Sequence, residues 1–157
     1  MRGDSRVIAA LNEALKSELT AINQYFIHAE MNENWKYSRL YHSIRERSLT
    51  EMRHAEAFIE RILFLEGEPN MTDLFPVKVG RNVKQMMEND LALEMDAVNR
   101  YNASIALCRE VGDNGTRELF EKILKAEEEH VDEIEAELYQ LKEIGTEGYL
   151  AQQIKKE

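Results

Sequence analysis

The chain is predicted to fold as an all-α four-helix bundle, and three observations predict it. Apolar residues recur at steps of three and four over four long stretches, the pattern of a helix with one buried face. Only two prolines and seven glycines occur among 157 residues, and they fall between those stretches rather than within them. The breaks run short, long, short, which makes two antiparallel hairpins joined by one long connection.

The first helix starts at Asp4 or Ser5, either of which can cap it. It carries Ile8, Leu11, Leu15, Ile22, Tyr25 and Phe26 inward and continues to about Asn34. A second starts near Ser38 with Leu40, Ile44, Ala55, Phe58, Ile62 and Leu65, and Gly67 and Pro69 stop it. Residues 67–81 are the one long break, long enough to cross the bundle. The third helix spans about Asn82 to Val111, with Val83, Met87, Ala97, Tyr101 and Ile105 on one face. Gly112 to Gly115 is read as a turn. The fourth helix runs from about Thr116 to Ile144, with Phe120, Ile123, Ile134, Leu138 and Leu141 inward, and ends at Gly145. Residues 146–156 are expected to add a short fifth helix. Residues 1–157 are read as a single domain, with the bundle over about 5–144.

Composition narrows the function. The net charge of −10 argues against nucleic acid as a partner, because phosphate binding wants a basic surface. The one cysteine, Cys108, forms no intrachain disulfide, which suits a reducing compartment. Met1 to Arg6 leads into no apolar run, so no signal peptide and no membrane span are expected. These features read as a cytoplasmic protein.

The chemistry lies in a doubled pattern. Glu51-Met52-Arg53-His54 and Glu127-Glu128-Glu129-His130 stand 76 positions apart, and each follows a further glutamate, Glu18 or Glu94, by 33 positions. Each of these residues falls on the inward stripe of its helix. Glu18 lies between Leu15 and Ile22, and Glu94 between Asp90 and Ala97. Glu51 and His54 lie between Arg47 and Phe58, and Glu127 and His130 between Ile123 and Ile134. A Glu and a His three apart share one side of a helix. A run such as Glu127 to Glu129 usually marks a solvated face, which accounts for Glu128 and Glu129 only. Four buried carboxylates without a counter-charge would be costly or would take up protons. Two divalent cations neutralise them. Carboxylate-rich, histidine-poor ligation without thiolate suits iron or manganese, in the arrangement known for dinuclear sites in helical bundles. Tyr25 and Tyr101 each follow the single glutamate of their hairpin by seven positions, two turns along the same stripe. They are read either as partners of the ligands or as core aromatics.

The chain resembles the bacterioferritins. The resemblance rests on Ala21-Ile22-Asn23-Gln24-Tyr25-Phe26, on Glu51-Met52-Arg53-His54-Ala55-Glu56, and on Arg61-Ile62-Leu63-Phe64-Leu65-Glu66-Gly67. It also rests on Asp90-Leu91-Ala92-Leu93-Glu94 and Glu127-Glu128-Glu129-His130, and it covers almost the whole chain. It implies a ferritin-like bundle whose chains, 24 of them, form a hollow shell. It implies a ferroxidase that oxidises Fe(II) to Fe(III) with O2 or H2O2 and stores ferric mineral inside. The ligands carried over are Glu18, Glu51, His54, Glu94, Glu127 and His130, with two iron ions per subunit. It further implies a b-type haem shared between two subunits, with Met52 as axial ligand, and a ferredoxin as electron donor. From the residues alone, Met52 points about 100° away from the metal stripe, on the face of Arg45, Leu49 and Glu56. Its repeat-related position is Glu128, so the methionine breaks the symmetry. Some members carry a His and an Asp at an interior iron site where this chain has Glu46 and Thr50, which departs from that site. His28 and His42 lie outside the ligand set and are read as surface or interface histidines. The competing readings are a rubrerythrin-like peroxidase or oxidase, against which the lack of a Cys-x-x-Cys pair counts, and a non-catalytic haem- or metal-binding bundle.

Overall fold

The computed structural model describes residues 1–155. The described residues form four helices: α1 (Ser5–Asn34), α2 (Ser38–Phe64), α3 (Val83–Val111) and α4 (Asn114–Gln153). Local chemistry sets three of the four starts. Asp4 accepts from the Arg6 N–H at 2.8 Å, Asn82 from the Gln85 N–H at 2.8 Å, and Asp113 from the Thr116 N–H at 3.0 Å. Each satisfies one of the donors that a helix start leaves unpaired. The Asp113 cap starts α4 at Asn114, two residues before the expected Thr116, and draws Asn114 and Gly115 out of the expected turn into the helix.

The expected terminal helix is not counted apart from α4, but α4 comprises two helical segments that meet at a break. α4 continues to Gln153, and its one non-helical residue is Gly145, with φ 80 and ψ 158. That combination is open essentially only to glycine. The break falls at the residue expected, and helix resumes beyond it as far as Gln153. The end of the expected 146–156 segment lies outside the described residues.

The helices form a ring in the order α1, α2, α4, α3. α2 packs closely on α1, and α4 on α3; α1 meets α3 less closely, and α2 meets α4 least. The Gly3 N–H donates to the Leu65 carbonyl at 3.1 Å, so α1 starts where α2 ends. Two apolar clusters fill the interior. One contains Leu11, Leu15, Phe58, Ile62, Tyr101 and Phe120; the other contains Tyr25, Ile44, Met87, Ile134 and Leu141. Phe58, Tyr101 and Phe120 stack with ring centroids 5.4–5.7 Å apart. Each such side chain contributes about 1.5–3 kcal/mol by leaving water. On every helix the inward Glu falls between residues of the two clusters, so a polar layer divides the core at mid-length.

Residues 65–82 run along α1. Asn12 receives the Asn70 N–H at 2.8 Å, Thr20 the Phe75 N–H at 2.9 Å, Gln24 the Lys78 N–H at 3.0 Å, and His28 the Gly80 N–H at 2.9 Å. The Phe75 ring lies between Lys16 of α1, at 4.3 Å, and Arg100 of α3, at 4.5 Å. The segment thus covers the α1/α3 side of the bundle, with two cations held against one aromatic ring.

His28 is not a surface or interface histidine. It is fully buried, with Nδ1 2.9 Å from Asp90 Oδ1 and Nε2 accepting from the Gly80 N–H. An imidazole that accepts at Nε2 carries its proton on Nδ1 and donates it to Asp90. His42 is exposed, beside Tyr41. Replacing His28 with Leu leaves the Gly80 N–H and one Asp90 contact unpaired inside the protein. The expected loss is about 2–3 kcal/mol, read as a lowered melting temperature, with accelerated proteolysis within 65–82. Wild-type melting and cleavage would show that the network does not anchor the segment.

Candidate metal centre

The structure brings all six doubled-pattern residues together at mid-bundle. Glu18, Glu51, His54 and Glu127 form one group, and Glu51, Glu94, Glu127 and His130 the other, with candidate ligand atoms within 4.8 Å of one another in each. Glu51 and Glu127 belong to both groups. They are the carboxylates of the two Glu-x-x-His motifs, and they stand between two equivalent positions.

Distances repeat across the internal symmetry. His54 Nδ1 lies 2.9 Å from Glu127 Oε1, 3.6 Å from Glu18 Oε2 and 3.7 Å from Glu51 Oε2. His130 Nδ1 lies 3.1 Å from Glu51 Oε1, 3.6 Å from Glu94 Oε1 and 3.9 Å from Glu127 Oε2. These atoms crowd together without bonding. Among the described residues, eight buried side-chain atoms have no hydrogen-bond partner, and six of them belong one each to these six residues. Even the 2.9 Å approach of His54 to Glu127 lacks the alignment of a hydrogen bond. Unpaired buried polar atoms are rare and costly. Six of them converging in one place fit a pair of cations, which no protein donor replaces.

Both tyrosines touch the cluster, but across the hairpins. Tyr25 of α1 donates to Glu94 Oε1 of α3 at 2.5 Å, and Tyr101 of α3 donates to Glu18 Oε1 of α1 at 2.5 Å. The exchange follows from α1 and α3 running antiparallel, which sets position 18 beside 101 and 25 beside 94. Each bond occupies one oxygen of its glutamate and leaves Oε2 unpaired. Burial, and then the charge of Glu94 or Glu18, holds each phenol well above its ordinary pKa, so both remain donors.

Electrostatics tell the same story for the metal-free chain. Burial raises Glu18, Glu94 and Glu127 well above the ordinary carboxylate range, and the neighbouring carboxylates raise them further. Burial lowers the His54 pKa, but Glu127, Glu18 and Glu51 outweigh it and push it up to about 12. Without cations the cluster retains protons.

Met52 does not join the cluster. It lies on the outer face of α2 and is 52% exposed; Phe26 of α1, expected inward, is likewise exposed, at 55%. Glu46 is exposed and Thr50 partly buried. Arg47, a member of the α2 stripe whose partner the sequence does not indicate, is buried, and its Nη2 contacts Glu137 Oε1 at 2.8 Å and Glu133 Oε2 at 3.6 Å. A cation among apolar stripe residues was the available signal.

Four helices around a buried Glu and His layer define a ferritin-like protein, and the ferritin-like domain family matches residues 8–144. The chain is 46% identical to the bacterioferritin of Mycolicibacterium paratuberculosis over 152 residues, 97% of this chain and 96% of that protein. It is 45% identical to bacterioferritin BfrA of Mycobacterium tuberculosis over the same shares. It is 42% identical to the bacterioferritin of Rhodobacter capsulatus over 149 residues, 95% and 92% of the two chains. The chain belongs to the bacterioferritin family.

Proposed function

We propose that this protein stores iron and oxidises it on the way in, with ferrous iron as substrate and Glu18, Glu51, His54, Glu94, Glu127 and His130 as its ligands. The observation that carries the reading is the set of six converging unpaired atoms. Two Fe(II) ions each give up one electron; O2 with two protons becomes H2O2, or H2O2 with two protons becomes two waters. The chain's own part is to hold both ions at once. Glu51 and Glu127 are shared between the positions, Glu18 and Glu94 belong to one each, and the histidines are neutral nitrogen donors. The tyrosines orient the unshared glutamates by keeping one oxygen of each occupied.

The finer assembly is part of the same proposal. One domain, two hairpins linked by a crossover along α1 and closed by the segment after Gly145, would build a shell of 24 copies. Ferric mineral would collect inside it, in the cytoplasm, and a ferredoxin would supply electrons for release. No helix among the described residues is long and apolar enough to cross a membrane. Met52 from each of two chains would hold a b-type haem, which supplies one-electron transfer between the surface and the stored iron. Met52→Leu is expected to abolish the haem absorption bands of purified protein while ferrous oxidation stays within about twofold, because Met52 lies outside the cluster. An unchanged spectrum would exclude this ligand.

The reading as a whole is tested by native particle mass together with iron content. A particle of about 24 chains carrying far more than two irons per chain is expected. A small oligomer that retains only two would leave a di-iron bundle without storage.

A further inference from the structure

The way into the metal centre is marked by which residues water reaches. The side chains of Glu18, Glu51, Glu94 and Glu127 are 1% exposed, whereas His54 is 12% and His130 9% exposed. Both histidines come from the α2/α4 side, where the helices meet least, while residues 65–82 cover the opposite side. Two arginines of α2 cross this thin seam to α4. Arg61, seven residues beyond His54, donates from Nε to Thr116 Oγ1 at 2.9 Å and from Nη2 to Asp113 Oδ1 at 3.2 Å. Arg47, four residues before Glu51, binds Glu137 at 2.8 Å and approaches Glu133 at 3.6 Å.

The two straps differ in kind. Arg61 anchors the start of α4 through its capping Asp113, which accounts for it structurally. Arg47 has no such role. It is 5% exposed on the stripe that carries the ligands, one turn from Glu51, and its Nε is buried without a partner. Burying a guanidinium with an unpaired donor is costly, and an apolar side chain would close the same gap more cheaply. Glu137 and Glu133 lie seven and three residues beyond His130, and Arg47 seven before His54, so the strap crosses the seam one to two turns from the histidines.

We infer that the Arg47–Glu137–Glu133 strap is a positioning device that holds the α2/α4 seam closed within two turns of His54 and His130 and sets how fast divalent cations enter and leave the centre. Its charge suits the task. A fixed cation at the edge of the opening repels a lone metal ion in transit, while the flanking carboxylates offer it a passing contact. The inference rests on the six residues binding two metal ions.

The test uses Co(II) on assembled protein, a redox-inert ion whose visible spectrum reports its ligands. In Arg47→Met, chelator extraction of Co(II) is expected to run about tenfold faster, the effect of one charge-assisted contact on a local opening. Stoichiometry at two ions per chain and the spectrum should stay unchanged. Arg47→Lys should return the rate to within about threefold of wild type, since the charge is kept and the fork geometry lost. Arg61→Met, the matched strap farther from the centre, should leave the rate alone. An unchanged rate in Arg47→Met overturns the inference, as does equal acceleration in Arg61→Met or a changed cobalt spectrum. Should Arg47→Met not assemble, Arg47→Met with Glu137→Leu removes the pair together and carries the same expectations. Wild-type protein binding fewer than two Co(II) per chain would overturn the two-metal reading itself, before any variant is compared.

Discussion

Glu127→Ala is expected to reduce ferrous oxidation by at least about 100-fold and to cut divalent-ion capacity below two per chain. Glu127 is shared by both groups of candidate ligands, so its loss disables both positions at once. Loss of a mere partner of a ligand commonly costs 10–100-fold, which sets the lower bound for a shared ligand. Glu128→Ala is the matched control, one residue along and exposed, and should behave as wild type. The variant should also fold at least as stably as wild type when metal is absent, because it removes one of several buried carboxylates that repel each other. A stability gain joined to a functional loss is the mark of a site kept for chemistry. Retained oxidation in Glu127→Ala would remove the shared carboxylate from the centre.

The second large effect is a reversal of pH dependence by metal. Glu18, Glu94 and Glu127 hold their protons in the metal-free fold above the unfolded value of 4.5, through burial and mutual repulsion. Above that pH the unfolded chain releases protons that the fold still binds, so stability falls as pH rises. His54 acts in the same direction. Its pKa is raised to about 12 from 6.5, so its contribution is complete below 6.5 and declines as pH climbs toward 12. Each proton so retained costs about 1.4 kcal/mol per pH unit. Metal-free protein should therefore melt lower at pH 8 than at pH 5. Asp113 works oppositely, since hydrogen bonds from Thr116 and the charge of Arg61 outweigh burial and lower its pKa below 3.8; its contribution is lost only in stronger acid. Bound Zn(II) or Co(II) replaces the retained protons, so the melting gain on metal addition should widen from pH 5 to pH 8. Parallel melting curves with and without metal would show that the ions bind elsewhere.

Much of this was legible along the chain. α1 starts beside Asp4 and α3 beside Asn82, as expected, because a cap is a contact between residues two or three apart. The inward stripes of Glu18, Glu51, Glu94 and Glu127 were readable because helical period converts spacing directly into direction. Gly145 marked the break and the helical segment after it, but not what that segment packs against: Tyr149 is buried in the core cluster.

His28 shows where such reading ends. Its partners, Asp90 and Gly80, are more than 50 positions away, and nothing in its own helix says that residues 65–82 will lie over it. Arg47 is the same case across α2 and α4, with Glu137 90 positions distant. The tyrosines were placed on the right stripe, yet each serves the other hairpin's glutamate, a consequence of how α1 and α3 face one another.

What the sequence by itself determined is therefore the four helices, their inward faces and the doubled Glu and Glu-x-x-His pattern on them, because each follows from contacts within a few residues. What only the tertiary structure decided is that Glu51 and Glu127 fall in both candidate ligand groups, that Tyr25 and Tyr101 exchange partners, and that Arg47 bridges α2 to α4 on the side from which the histidines come. Those depend on helix order, antiparallel register and the path of residues 65–82, which are set by packing across the whole bundle.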